Sequence, residues 1–129
     1  MLKPDAKRLD VKAIKQSPGF WYLATPYSKF SGGLQMAYVN ACWATAALVR
    51  KGIRVFSPIS HCHGIATFGG IDPLSHRVWL EQDAAFMDAA TGLIVCMVSG
   101  WDKSYGIGEE IKEFSAAGKP IYYMEPDEC

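Results

Sequence analysis

The chain lacks a surplus of charge of either sign: thirteen Lys and Arg stand against thirteen Asp and Glu, a formal net charge of zero. Coating a nucleic-acid backbone takes an excess of cations, so no polymeric nucleic acid is expected as a partner. No apolar run approaches the roughly 20 residues of a membrane helix, so no membrane partner is expected either. The first stretch, MLKPDAKRLDVKAIKQSPG, is charged and has no apolar h-region, so no signal peptide is expected. The four cysteines (Cys42, Cys62, Cys96, Cys129) form no CxxC pair. Cys42 and Cys96 lie in apolar runs and read as reduced core residues, which makes the expected location cytoplasmic. What is present is core material. Half of the 129 residues are apolar and 12% are aromatic, enough for one folded domain and too much for disorder.

Two regions are distinguished. Residues 1–18 form a basic leader, with room for a short helix after Pro4, and read as a frayed or docked arm. Residues 19–129 form the domain. The run 20–25 reads as a buried strand ended by Pro26, and 27–33 as a polar, glycine-bearing loop. Val39, Cys42, Trp43, Ala46 and Val49 recur at helical spacing, and Arg50-Lys51-Gly52 closes that helix. A second strand covers 53–57, and 59–73, with little periodicity, reads as a long loop. A helix from about 74 to 90 is expected, with Val78, Gln82, Ala85, Phe86 and Ala89 on one side. The run 92–98 is the strongest strand, apolar throughout and suited to the centre of a sheet. A helix carrying Ile107, Ile111 and Phe114 and a strand over 120–124 complete the order. Trp43 and Phe114 are both expected in the core. Strands alternating with helices imply right-handed crossovers and a parallel α/β sheet of four to five strands covered on both faces. Ligands in such folds bind beyond the carboxyl ends of the strands, which directs attention to the loops at 25–33, 58–73 and 99–106 and to the tail after 124.

Ser104-Tyr105-Gly106-Ile107-Gly108-Glu109-Glu110 runs from such a loop into a helix. Gly106 and Gly108 let a ligand approach the backbone, and free N–H groups at the helix start attract an anion beside the Ser104 hydroxyl. Helical geometry separates the two glutamates. At about 100° per residue, Glu109 falls opposite the Ile107/Ile111/Phe114 face and Glu110 falls at its edge. Glu110 is therefore aimed toward the sheet, and a carboxylate placed there needs partners or a task. The helix start is expected to help keep it ionised.

These residues carry a resemblance. Tyr22 to Ser28, Ser57-Pro58, Asp83, 88–98, Gly100-Trp101, 104–110 and Ala117 to Pro120 resemble, in order and spacing, the nucleoside 2-deoxyribosyltransferase-like superfamily, and most closely its DUF1937 group. The resemblance implies a flavodoxin-like, Rossmann-like three-layer αβα sandwich and chemistry at an N-glycosidic bond. It implies Glu110 as nucleophile at the anomeric carbon, Asp83 as the group assisting at the nucleobase, and Tyr22 orienting the glutamate. On the angular count Asp83 lies off the expected stripe of its helix, leaving a surface and a cleft role both open; the resemblance selects the cleft. A serine six residues before the glutamate, here Ser104, is the mark of nucleoside 5′-monophosphate N-glycosidases, whereas nucleoside deoxyribosyltransferases carry a carboxylate there. Ser28 and Lys29 would complete a phosphate pocket, Lys29 being the cation available in the first loop, where those glycosidases tend to carry an arginine. The expected ligand is a small nucleotide or nucleoside, no metal or organic cofactor is required, and a homodimer or larger homo-oligomer is implied.

Trp101 and Tyr27, in strand-end loops, are candidates to stack on a base or to cap the sheet edge. His61-Cys62-His63 lacks the four ligands of a closed zinc site, and His61 is read as a residue able to reach the cleft. The alternative function, from another class, is a nucleotide-binding or signalling module that keeps the fold without turnover.

Overall fold

The computed structural model describes residues 6–129. Five strands, β1 (Lys7–Arg8), β2 (Trp21–Ala24), β3 (Val55–Phe56), β4 (Gly92–Cys96) and β5 (Ile121–Met124), form one all-parallel sheet in the order β1-β5-β4-β2-β3. The helices are α1 (Val11–Gln16), α2 (Leu34–Arg50), α3 (Pro58–Gly69), α4 (His76–Ala89) and α5 (Tyr105–Ala116). This is the expected flavodoxin-like three-layer sandwich.

Every residue of β2 and β4 is buried, because helices cover both faces of these two strands. On one face Ile14 of α1 and Ala44 and Leu48 of α2 pack against Trp21, Leu23, Ile94 and Cys96. On the other, Met87 of α4 and Ile107 and Phe114 of α5 pack against Tyr22, Ala24, Leu93 and Val95. Gly92 is required by a close approach: a Cβ there would lie 2.7 Å from the Pro120 carbonyl oxygen and inside the Trp21 ring.

From residue 6 on, the basic leader is docked. β1 adds to the sheet edge beside β5, Arg8 pairs with Glu125, and Ile14 is buried. The start of the leader helix expected after Pro4 lies outside the described residues; α1 begins at Val11, where the Asp10 carboxylate accepts from the Ala13 N–H at 3.1 Å.

Four expectations need correction. The long loop at 59–73 is mostly α3. Ser57 caps it by accepting from the Ser60 N–H, Pro58 pre-sets its first turn, and Gly70, with φ 70°, ends it. The buried stripe of α2 is Ala37, Ala41, Ala44 and Leu48, small residues that let the helix lie close to the sheet. Trp43 is consequently 60% exposed rather than core. On α4 the side facing the sheet carries Met87, with Leu80 and Asp83 half-buried, while Val78, Gln82, Ala85 and Ala89 face outward. Cys96 is not a reduced thiol but forms a disulfide with Cys129, and Cys42 and Cys62 are free. Among the described residues no helix is long and apolar enough to cross a membrane.

Candidate active site

β2 continues to β3 on one side and has β4 on the other, so strand order reverses between β2 and β4. A crevice opens at the carboxyl ends of these strands, as the topology requires. Its walls come from Thr25, Tyr27 and Ser28 after β2, Cys62 and His63 of α3, His76, Trp79 and Asp83 of α4, and Ser104, Gly106 and Glu110 around the start of α5. Pro58, Ile59, Ala66, Pro73, Leu74 and Leu80 make the rest of the lining apolar.

Two carboxyl groups face this cleft. Glu110 is 8% exposed, and burial pushes its carboxyl up to about 8; the Tyr22 phenol opposes the shift and the Asp83 charge adds to it. The helix start was expected to keep Glu110 ionised. It does not, because Glu110 is the sixth residue of α5, beyond the first turn in which the macrodipole acts, and desolvation dominates. Burial likewise raises Asp83 to about 6, against the Cys62 thiol and the charge of His61. Cys62 Sγ lies 3.7 Å from Asp83 Oδ1, and burial together with that carboxylate pushes the thiol up to about 12, so it is a donor and not a nucleophile.

Tyr22 is fully buried beneath the cleft, against Phe114 and Phe56. Its hydroxyl has no hydrogen-bond partner of good geometry, yet it and Glu110 shift each other's protonation. The pair is in near contact without a formed hydrogen bond. Burial and the Glu110 charge hold the phenol far above its ordinary range. Thr25 Oγ1 is a second buried hydroxyl without a partner, and it lies in the cleft wall. Unpaired buried hydroxyls are uncommon, and in a cleft wall a water or a polar ligand group can complete the bonding.

At the mouth, His63 is fixed on both nitrogens. Gln35 Oε1 only accepts, so His63 Nε2–H donates to it at 3.2 Å, and Nδ1 accepts from the Tyr27 hydroxyl at 2.7 Å. Tyr38 stacks on the ring at 4.5 Å. At the start of α5, Ser104 Oγ accepts from the Ile107 N–H and the Ser104 carbonyl from the Gly108 N–H. The N–H groups of Tyr105 and Gly106 remain without partners among the described residues.

Residues 19–126 match the family model described as a domain of unknown function, DUF1937. The chain belongs to the DUF1937 family. No curated protein resembles it closely enough to count as a relative.

In this DUF1937 domain, six of the residues singled out in the sequence lie together in the cleft wall: Glu110, Asp83, Ser104, Gly106, Tyr27 and Ser28. Tyr22 lies under them. The others lie elsewhere. Lys29 is exposed and outside the cleft lining. Gly108 and Trp101 line a different groove on the far side of α5, where Trp101 packs edge-on against Tyr123 at 5.8 Å. His61 turns away from the cleft to Phe56 and Phe86. His61, Cys62 and His63, being consecutive on a helix, point three ways, and no cluster of three or more metal-binding side chains occurs among the described residues. Thr25, Cys62, His63, His76 and Trp79 were not singled out for the cleft. Thr25 carried a signal as the polar residue at the carboxyl end of a buried strand, and Cys62 and His63 carried one as part of the His61-Cys62-His63 run in a strand-end segment; His76 and Trp79 carried none.

Proposed function

We propose that this cleft cleaves the N-glycosidic bond of a nucleoside or nucleoside 5′-monophosphate, by hydrolysis or by transfer to a second base. The observation that carries the reading is the pair of buried carboxyls, Glu110 and Asp83, in one cleft with pKa values raised to about 8 and about 6. The resemblance to the nucleoside 2-deoxyribosyltransferase-like superfamily supports the same assignment. Between those values the pair carries one proton, which belongs to the pair rather than to either residue. The leaving base needs one proton, and the attacking carboxylate must have none. Passing the proton through Asp83 to the base meets both needs: the C–N bond breaks with its electrons on the base, and Glu110 becomes the carboxylate that attacks or stabilises the anomeric carbon. Water or a second base then attacks that carbon: where Glu110 has bonded to it, that C–O bond breaks with its electrons returning to the carboxylate, and the attacking group gives up its proton to the pair. These steps call on no metal or organic cofactor.

A second copy of the chain is proposed to cover the outer face of α2. Residues 34–49 contain no charged side chain, and Trp43, Val49 and Met36 are 60%, 57% and 42% exposed. An uncharged apolar helix face matches a two-fold copy of itself, with no charge to oppose. The same helix holds His63 at the cleft mouth through Gln35 and Tyr38.

The test is incubation with a panel of nucleosides and 5′-monophosphates, with free base scored by chromatography. Base release by the native chain and its loss in Glu110→Gln are expected. Binding without release would leave the nucleotide-binding module as the reading, and neither binding nor release would remove the proposal.

A further inference from the structure

None of the described residues lining the cleft is a lysine or arginine. A phosphorylated ligand would therefore find no fixed cation there, and Lys29, the one cation the sequence offered, lies outside it. Yet one end of the cleft is built for negative charge. α4 and α5 both begin at the carboxyl edge of the sheet, and their first residues touch: the His76 and Tyr105 rings are 4.7 Å apart. Two positive helix ends thus converge at one point of the rim. The Tyr105 and Gly106 N–H groups are unpaired there, and Ser75 makes no side-chain cap on α4. A Cβ at Gly106 would meet nothing closer than Ser104 Oγ at 4.0 Å, so the backbone is open to a ligand.

The Thr25 hydroxyl is a separate sign that this cleft takes a polar ligand. The residue is 4% exposed, lies in the same wall and has no partner. His76 is exposed, lines the cleft with Ser104 and Gly106, and has no hydrogen bond or ion pair among the described residues. Asp72, the carboxylate just before α4, is engaged with the Leu74 N–H at 2.9 Å. Arg77 follows His76 on α4 and is exposed, but it does not line the cleft.

We propose that His76 is the specificity-determining residue of this cleft, its imidazole meeting the terminal phosphate of a sugar-phosphate ligand opposite Ser104 and selecting it over the unphosphorylated form. This deepens the N-glycosidase reading by naming the monophosphate as substrate, while the phosphate contact itself requires no turnover. An imidazole N–H donates to a phosphate oxygen and, once protonated, adds the charge the walls lack.

Calorimetric titration of the full chain with inorganic phosphate, ribose 5-phosphate, ribose, a nucleoside and its 5′-monophosphate tests this. Native protein is expected to bind ribose 5-phosphate and the monophosphate more tightly than ribose and the nucleoside. His76→Gln is expected to weaken the phosphorylated ligands about tenfold or more without a parallel loss for the nucleoside. His76→Lys is expected to keep the preference, which a merely structural role would not. Binding of inorganic phosphate alone, with no gain from the sugar, would overturn the sugar-phosphate assignment. Equal affinities in native and His76→Gln protein would overturn the role of His76. Tight ribose 5-phosphate binding without base release from any nucleotide would sink the glycosidase reading and leave this one standing.

Discussion

The Cys62 thiol donates to Asp83 Oδ1 across 3.7 Å, joining α3 to α4 beside the cleft. The contact favours the charged form of Asp83 and partly offsets the burial that raises it to about 6. A proton shared by Asp83 and Glu110 gives a bell-shaped profile of kcat/KM, rising through about 6 and falling through about 8. Cys62→Ala removes the donor, so the rising limb moves to higher pH, and the lost packing costs about 1–2 kcal/mol. Cys62→Ser restores a donor and returns the limb toward its native position. Base-release rates against pH for the three proteins check this. Coincident rising limbs in the native and alanine proteins would show that the thiol does not act on Asp83.

Glu110 makes a prediction that needs no substrate. Its folded-state pKa of about 8 lies above the ordinary 4.5, so between these values the native state holds a proton that the unfolded chain has released. The sign follows from linkage: this contribution is complete below the unfolded value and is lost as pH rises through the folded one. Stability should fall with pH across that window by about 1.4 kcal/mol per unit at most. Asp83 adds a similar slope between 3.8 and about 6. Urea unfolding at a series of pH values is expected to show the decline in the native protein. Glu110→Gln should flatten it between pH 6 and 8, since the raised Glu110 carboxyl is the source of the slope there. An unchanged slope in the variant would mean that Glu110 is not desolvated.

The parts of the site that were legible before the structure rest on strand–helix alternation and on one angular argument. The apolar run at 92–98 marked the centre of the sheet, and the Ile107/Ile111/Phe114 spacing placed Glu110 inward and Glu109 outward. On α2 and α4 the sheet-facing sides differ from the expected ones because apolar spacing alone does not say which side of an amphipathic helix meets the sheet. On α2 the sheet-facing positions are alanines, whose small size lets the helix pack closely, while Trp43 faces outward. On α4 the error displaced Asp83 from the inward face it occupies with Leu80 and Met87. α3 was hidden by Gly64, Gly69 and Gly70, although Ser57-Pro58 is a sound helix start and Gly70 a sound stop. Cys62, His63 and His76 reach the cleft only because α3 and α4 flank it, a tertiary fact that local spacing does not encode.

The outer face of α2 predicts assembly. Trp43→Glu places a charge in the middle of an otherwise uncharged helix face and, by symmetry, opposes it to its own copy across a two-fold contact. Native protein is expected to sediment as a dimer or larger species. Trp43→Glu and Val49→Glu are expected to sediment as monomers with unchanged helix content, because both positions are exposed within one chain. A native chain that remains monomeric at every concentration tested would remove the second copy from the account of this face.

The Cys96–Cys129 disulfide ties the segment after β5 to the end of the central strand, closing a separation of 33 residues. Cross-linking a loop of that length stabilises chiefly by restricting the unfolded chain, by about 3–4 kcal/mol in the chain-entropy account. Cys96 is fully buried, so replacing it also disturbs the core; Cys129 is only half-buried and is the cleaner site. Cys129→Ser is therefore expected to lower unfolding stability by that order, and reductant should lower the native protein to the same level without affecting the variant further. The free thiols of Cys42 and Cys62 do not contribute to this difference, since both are present in each protein. The consequence for the site is indirect. Cys96 lies on β4, next to β2, whose carboxyl end leads to Thr25, whereas Ser104 and Glu110 are carried by α5 on the other face of the sheet. Ligand affinity should therefore survive reduction wherever the fold does. If reduction abolishes ribose 5-phosphate binding while the far-ultraviolet spectrum is unchanged, the disulfide holds the cleft itself and not only the fold.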